Sequence, residues 1–132
     1  MTKPTKAKCK KLWADTVKDR DGHKCIICGK TENLNSHHLY GKKSHRMRYL
    51  LDNGVTLCRY HHKYGVHSDD MGIVEKCWDI IRGRHGTEAI GACASARVDT
   101  RKLSLSEAWD ELELIAASFN TRRMNLEGKE VG

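Results

Sequence analysis

The segment from Ser36 to His67, SHHLYGKKSHRMRYLLDNGVTLCRYHHKYGVH, carries six of the chain's eight histidines. Four of them form two adjacent doublets, His37-His38 and His61-His62. A neutral imidazole, with its ordinary pKa of about 6.5, can ligate a metal ion or take a proton from water at neutral pH. Neighbours on a strand point to opposite faces. Neighbours on a helix diverge by about 100°. Each doublet can therefore supply two different sites.

The cysteines point to one of those sites. Cys25-Ile-Ile-Cys28 is a C-x2-C pair followed by Gly29, which suits a knuckle turn. Cys58-Arg-Tyr-His61 is a C-x2-H pair beginning thirty residues after Cys28. Two such pairs can build a tetrahedral Cys3His zinc site from Cys25, Cys28, Cys58 and His61. The competing reading is two unrelated pairs with His61 on the surface. Zinc also accounts for the folding of a segment with so little apolar content, since a structural ion contributes on the order of 10 kcal/mol in small zinc modules. Cys9, Cys77 and Cys93 have no partner at ligand spacing and read as small buried or half-buried apolar residues.

The elements that must position these residues are short between Lys24 and Cys58 and longer on either side. Cys9, Leu12, Trp13, Thr16 and Val17 fall at helical spacing and predict a helix over about 6–19, stopped by Asp21-Gly22. Strand-like pieces follow at Lys24–Ile27, Leu34–Leu39 and Gly54–Leu57, and a helix begins near Arg59. Ile73, Cys77, Trp78 and Ile81 form a helical stripe, and a second helix is expected over Thr87–Val98. Ser104-Leu105-Ser106-Glu107 is a capping box that opens a third, with the stripe Leu105, Ala108, Trp109, Leu112, Ile115, Ala116 and Phe119. These stripes, with Trp13, Trp78 and Trp109, read as core anchors. His23, His45 and His85 read as surface residues.

The 132 residues, 39% hydrophobic, allow one domain with helical extensions. No apolar run approaches a membrane span or a signal peptide, so the expectation is a cytoplasmic protein with reduced thiols and no membrane partner. The formal net charge is +7 and it is uneven. Residues 1–70 hold 15 Lys and Arg against 7 Asp and Glu, and residues 71–132 hold 9 against 10. The basic half is the histidine half, which predicts a polyanionic partner.

Taken in order, Cys25-x2-Cys28, His37-His38-Leu39, Asp52-Asn53-Gly54-Val55-Thr56-Leu57-Cys58 and Cys58-x2-His61-His62 resemble the zinc-bearing HNH endonucleases, the ββα-metal or His-Me finger family. The resemblance covers roughly residues 10–70, about half the chain. The lead-in KLWADTVKDRDGHKC resembles small phage-encoded members. One departure stands out: the fourth zinc ligand is His61, where the family pattern has Cys. The resemblance implies an α+β fold, a small zinc-stabilised ββα-metal module with flanking helices. It would comprise a basic segment and helix over 1–20, the nuclease module over 21–70, a helical extension over 71–119 and a flexible tail over 120–132. It implies that His38 is the general base and that Asn53 braces the base-bearing loop or helps hold the metal. It also implies that His37 and His62 hold one catalytic divalent cation (Mg2+, Mn2+, Ni2+, Co2+ or Zn2+). His67 is a further candidate ligand, one residue beyond the family's usual spacing.

Lys42, Lys43, Arg46 and Arg48 form a basic loop between the base and the Asn, well placed to contact DNA phosphates. The function expected from the resemblance is metal-dependent hydrolysis of DNA phosphodiesters, leaving 5′-phosphate and 3′-hydroxyl ends, in a bacterial host cell. Two rivals are a non-catalytic zinc-stabilised nucleic-acid-binding accessory and a protein–protein adaptor using the C-terminal helices. The near-neutral second half is a candidate surface for a homodimer.

Overall fold

The computed structural model describes the backbone of residues 4–131 and the side chains as far as Phe119. The expected tail over 120–132 falls on residues whose side chains lie outside that description. Helix α1 spans Lys6–Arg20, with Thr5 Oγ1 accepting from the Lys8 amide as its N-cap. It buries Cys9, Trp13, Thr16 and Val17 of the stripe expected from spacing, and leaves Leu12 half-buried. The chain then turns through Gly22 and His23, both at positive φ.

Strands β1 (Leu34–His38) and β2 (Gly54–Cys58) pair antiparallel, with His37 opposite Val55 and His38 opposite Gly54. Gly54 has a packing reason to be glycine. A Cβ there would lie 2.3 Å from Trp13 Cζ2, so only glycine lets α1 lay its indole against β2. The strand expected at Lys24–Ile27 does not form. Residues 26–28 turn instead, closed by Gly29 N–H donating to Cys25 O at 2.8 Å, and Ile26 N–H reaches Thr56 O at 2.9 Å. Two ligands three apart in sequence can face one point across a turn, whereas an extended strand would separate them.

The short helix α2 (His45–Arg48) lies between the strands. After β2 a single helical turn, α3 (Arg59–His61), widens into a π-helical turn over His62–Val66. Helices α4 (Met71–His85), α5 (Thr87–Val98) and α6 (Leu105–Val131) follow. The capping box forms reciprocally, with the Ser104 and Glu107 side chains each accepting the other's amide at 3.1 Å. The whole is an α+β arrangement of helices around a two-stranded antiparallel sheet.

Among the described residues two apolar clusters make the core. One joins Cys25, Val55, Leu57, Cys58 and Val66 to Cys77 and Ile81 of α4. The other joins Cys9, Trp13 and Val17 of α1 to Tyr49 and to Ala108 and Leu112 of α6. Packing therefore runs across residue 70, and the C-terminal helices share in both cores. Ile73 leaves its predicted stripe and is 43% exposed. Trp13 is buried, while Trp78 and Trp109 are half-buried at the cluster edges. His45 and His85 are not surface residues. Each is half-buried and each ring bonds to a distant carbonyl, Leu103 O at 3.2 Å and Asp52 O at 2.6 Å. His23 is exposed as expected and pairs with Asp19. Among the described residues no helix is long and apolar enough to cross a membrane.

Candidate metal centres

The first centre sits where the knuckle turn meets the end of β2. The ligand atoms of Cys25, Cys28, Cys58 and His61 all lie within 4.8 Å of one another. Tetrahedral zinc with thiolates at about 2.3 Å sets sulfur–sulfur edges near 3.8 Å. The Cys28 and Cys58 Sγ atoms are 3.8 Å apart. His61 Nδ1 stands 3.3 Å from Cys58 Sγ and 3.8 Å from Cys25 Sγ. The donor set and its edges fit a tetrahedral soft-metal site. Burial pushes the Cys25 thiol up, but the backbone amides of Cys58, Cys28 and Ile27 outweigh it and hold the group below its ordinary pKa. Burial also lowers His61, keeping it neutral and able to ligate. Arg84 of α4 clamps the knuckle from outside, donating to Ile26 O at 2.6 Å and Ile27 O at 2.7 Å.

The second centre is built from imidazole alone. His37 leaves β1 toward the π-helical turn, where its ring meets His62 and His67, each with centroids 5.1 Å away. The His62 and His67 rings are 4.9 Å apart, and one nitrogen from each of the three lies within 4.8 Å of the others. Two positions five apart on an α-helix diverge by about 140°. The wider π turn brings them back to one side, which absorbs the extra residue between His62 and His67. Gly65 inside that turn is needed for closeness, since a Cβ there would stand 3.0 Å from Cys77 Sγ. The π turn is thus pressed directly against α4. Burial, then the neighbouring His62, His67 and His38 charges, lower His37 to about 4. Burial and His67 lower His62 as well. The lowering favours the neutral, ligating form of His37 and His62.

His38 is held by other partners. Its ring stacks on the Trp13 indole, with centroids 4.0 Å apart and planes 5° from parallel. Its Nε2–H donates to Arg48 O at 2.9 Å, which leaves Nδ1 as the acceptor nitrogen. Trp13 is held in turn by its own indole N–H on Leu50 O at 2.9 Å. Burial lowers the His38 pKa; the Arg48 carbonyl opposes this, and the Lys42, Arg48 and Lys10 charges add to the lowering.

Asn53 is fully buried and spends its side chain on the loop after His38. Its Oδ1 accepts Tyr40 N–H at 2.9 Å, and Nδ2 donates to Gly41 O at 2.8 Å and Met47 O at 2.9 Å. Through these three bonds Asn53 braces the loop after His38.

The basic residues divide. Lys42 and Lys43 are exposed. Arg46 turns inward to Arg101 O at 3.1 Å and to Asp99 at 3.6 Å, and Arg48 Nε donates to Lys42 O at 3.2 Å. Spacing alone did not reveal the stack of Trp13 on His38, nor the clamp by Arg84. The one local signal was Gly54, since a glycine inside a strand marks close approach by another group. Comparison with protein-family models, curated proteins and solved structures returns no match.

Proposed function

We propose that this chain is a metal-dependent endonuclease of the HNH, or ββα-metal, type that hydrolyses DNA phosphodiester bonds. One observation carries the reading. Three imidazoles converge on a single point, while a fourth, adjacent in sequence to one of them, is fixed as a single tautomer with one nitrogen free. Metal capture and proton abstraction need this combination, and a simple zinc-ribbon binder needs neither.

In this reading the Cys3His cluster binds structural zinc. His37, His62 and His67 hold a divalent cation, which when bound stabilises charge on the scissile phosphate and the departing oxygen. Imidazole donors favour Mn2+, Co2+, Ni2+ or Zn2+ over Mg2+. His38 takes the proton of the attacking water at Nδ1, because Nε2 is committed to the Arg48 carbonyl. Trp13 limits rotation of that ring, and Asn53 fixes the loop that supplies the carbonyl. Lys42 and Lys43 are exposed for contact with backbone phosphates, and the +8 charge surplus of the first seventy residues favours approach to DNA.

Supercoiled plasmid incubated with the zinc-loaded protein tests the proposal. Added Mn2+ or Ni2+ is expected to convert it to open circles, and omission of the added ion should stop conversion. Absence of nicking across Mg2+, Mn2+, Co2+, Ni2+ and Zn2+ would refute it.

A further inference from the structure

The outer face of α3 and the π turn presents a pattern that the metal centres do not use. Arg59, Tyr60, Lys63 and Tyr64 are all exposed, in the order cation, aromatic, cation, aromatic. Tyr60 is 62% and Tyr64 55% exposed, so both rings are open to a partner. The rings lie side by side, with centroids 5.5 Å apart and planes at 50°, and Lys63 Nζ stands 5.4 Å over Tyr64. No Asp or Glu occurs from Asn53 to Ser68. The inner residues of the same turn are His61 of the first centre and His62 of the second, so the face is anchored by both metal clusters.

We propose that Tyr60 and Tyr64 stack on unpaired bases of DNA, with Arg59 and Lys63 on the flanking phosphates, so that the preferred substrate carries single-stranded character beside the cut. The inference rests on the nuclease reading and narrows its substrate class. A paired duplex buries the faces of its bases, and only an unpaired base can offer one to an exposed ring. Alternating cations and aromatics suit a flexible polyanion with flat side groups. A purely apolar protein partner would leave the two cations without counter-charge. Covering the rings with bases also sets the adjoining phosphates beside His62 and His67, which share the turn.

The test uses the full zinc-loaded chain without further divalent ion. Fluorescence anisotropy compares a labelled duplex bearing a central bubble of unpaired thymines with the fully paired duplex of equal length. The bubble should bind about tenfold more tightly, in keeping with the stacking of one or two bases. Tyr60→Ala with Tyr64→Ala should erase that preference, and Tyr60→Phe with Tyr64→Phe should keep it, at unchanged zinc content and circular dichroism. Equal affinity for bubble and duplex, or a preference that survives the double alanine change, overturns the inference. Metal-dependent nicking in that event would leave the nuclease reading standing. Failure to bind either DNA, with no nicking, overturns both.

Discussion

At the scale of single residues the proposed reading turns on His38, to which it assigns the base and not a metal-ligand role. One ring nitrogen is spent on Arg48 O, one face is covered by Trp13, and the remaining nitrogen is free. Its pKa and those of His37 and His62 are all lowered, chiefly by burial. Protonation would both quench the base and eject the cation, so activity is lost only as pH falls through these lowered values. The acid limb of the nicking profile should therefore lie below the ordinary imidazole value of about 6.5. The nearby Lys42 charge contributes to the lowering at His38 but has no part in that at His37. Lys42→Met should make His38 easier to protonate and move the limb toward higher pH. A limb at or above 6.5, unmoved by Lys42→Met, would count against His38 as the titrating base. That the two members of each doublet would meet different partners was legible in the sequence, because strand and helix geometry send neighbours in different directions. Which way each ring went was not. The Trp13 and Arg48 partners of His38 are set by how α1 and α2 dock, which no local pattern encodes.

At the scale of elements the site depends on tight seams. Gly54 is the tightest, because α1 lays Trp13 directly over it. Gly54→Ala should push the indole off β2, cost about 1–3 kcal/mol of stability by overpacking, and weaken nicking by loosening the His38 stack. If the clash is the cause, adding Trp13→Leu should give a combined loss smaller than the sum of the single losses in urea denaturation. Additive losses would show that the seam is not where the cost arises. The helices α1, α5 and the start of α6 were readable from periodicity and capping. The knuckle was misread as a strand over Lys24–Ile27, because Cys-Ile-Ile-Cys has β-forming side chains while its turn is dictated by converging ligands. The π turn could not be read either. It inserts a residue into a helix to align His62 with His67, and its evidence lies in the fold of α4 against Gly65.

At the scale of the whole molecule, two clusters of candidate metal ligands and two apolar clusters adjoin one another among the described residues. Cys25 and Cys58 belong both to the Cys3His set and to the core that α4 completes, and His61 and His62 join the two metal sets through one backbone. Loss of a zinc ligand should therefore propagate to the second centre. Cys58→Ser is expected to remove most of the order of 10 kcal/mol that structural zinc contributes, with zinc content falling from one ion per chain and the thermal transition broadening or vanishing. An intact transition without zinc in elemental analysis would contradict that. The charge split between the halves pointed to a polyanionic partner, but the sharing of both cores by residues beyond 70 was hidden, since Cys77, Ile81, Ala108 and Leu112 are ordinary apolar residues until α4 and α6 dock. The most direct measurement of the central claim is plasmid nicking rate against divalent-metal concentration for the wild type, His38→Ala and His62→Ala, with circular dichroism as the folding control. The predicted result is that His38→Ala loses about 10²–10⁴ in rate at every metal concentration, while His62→Ala needs more metal and recovers in excess. Wild-type cutting by His38→Ala, or one shared phenotype for both folded variants, would contradict it.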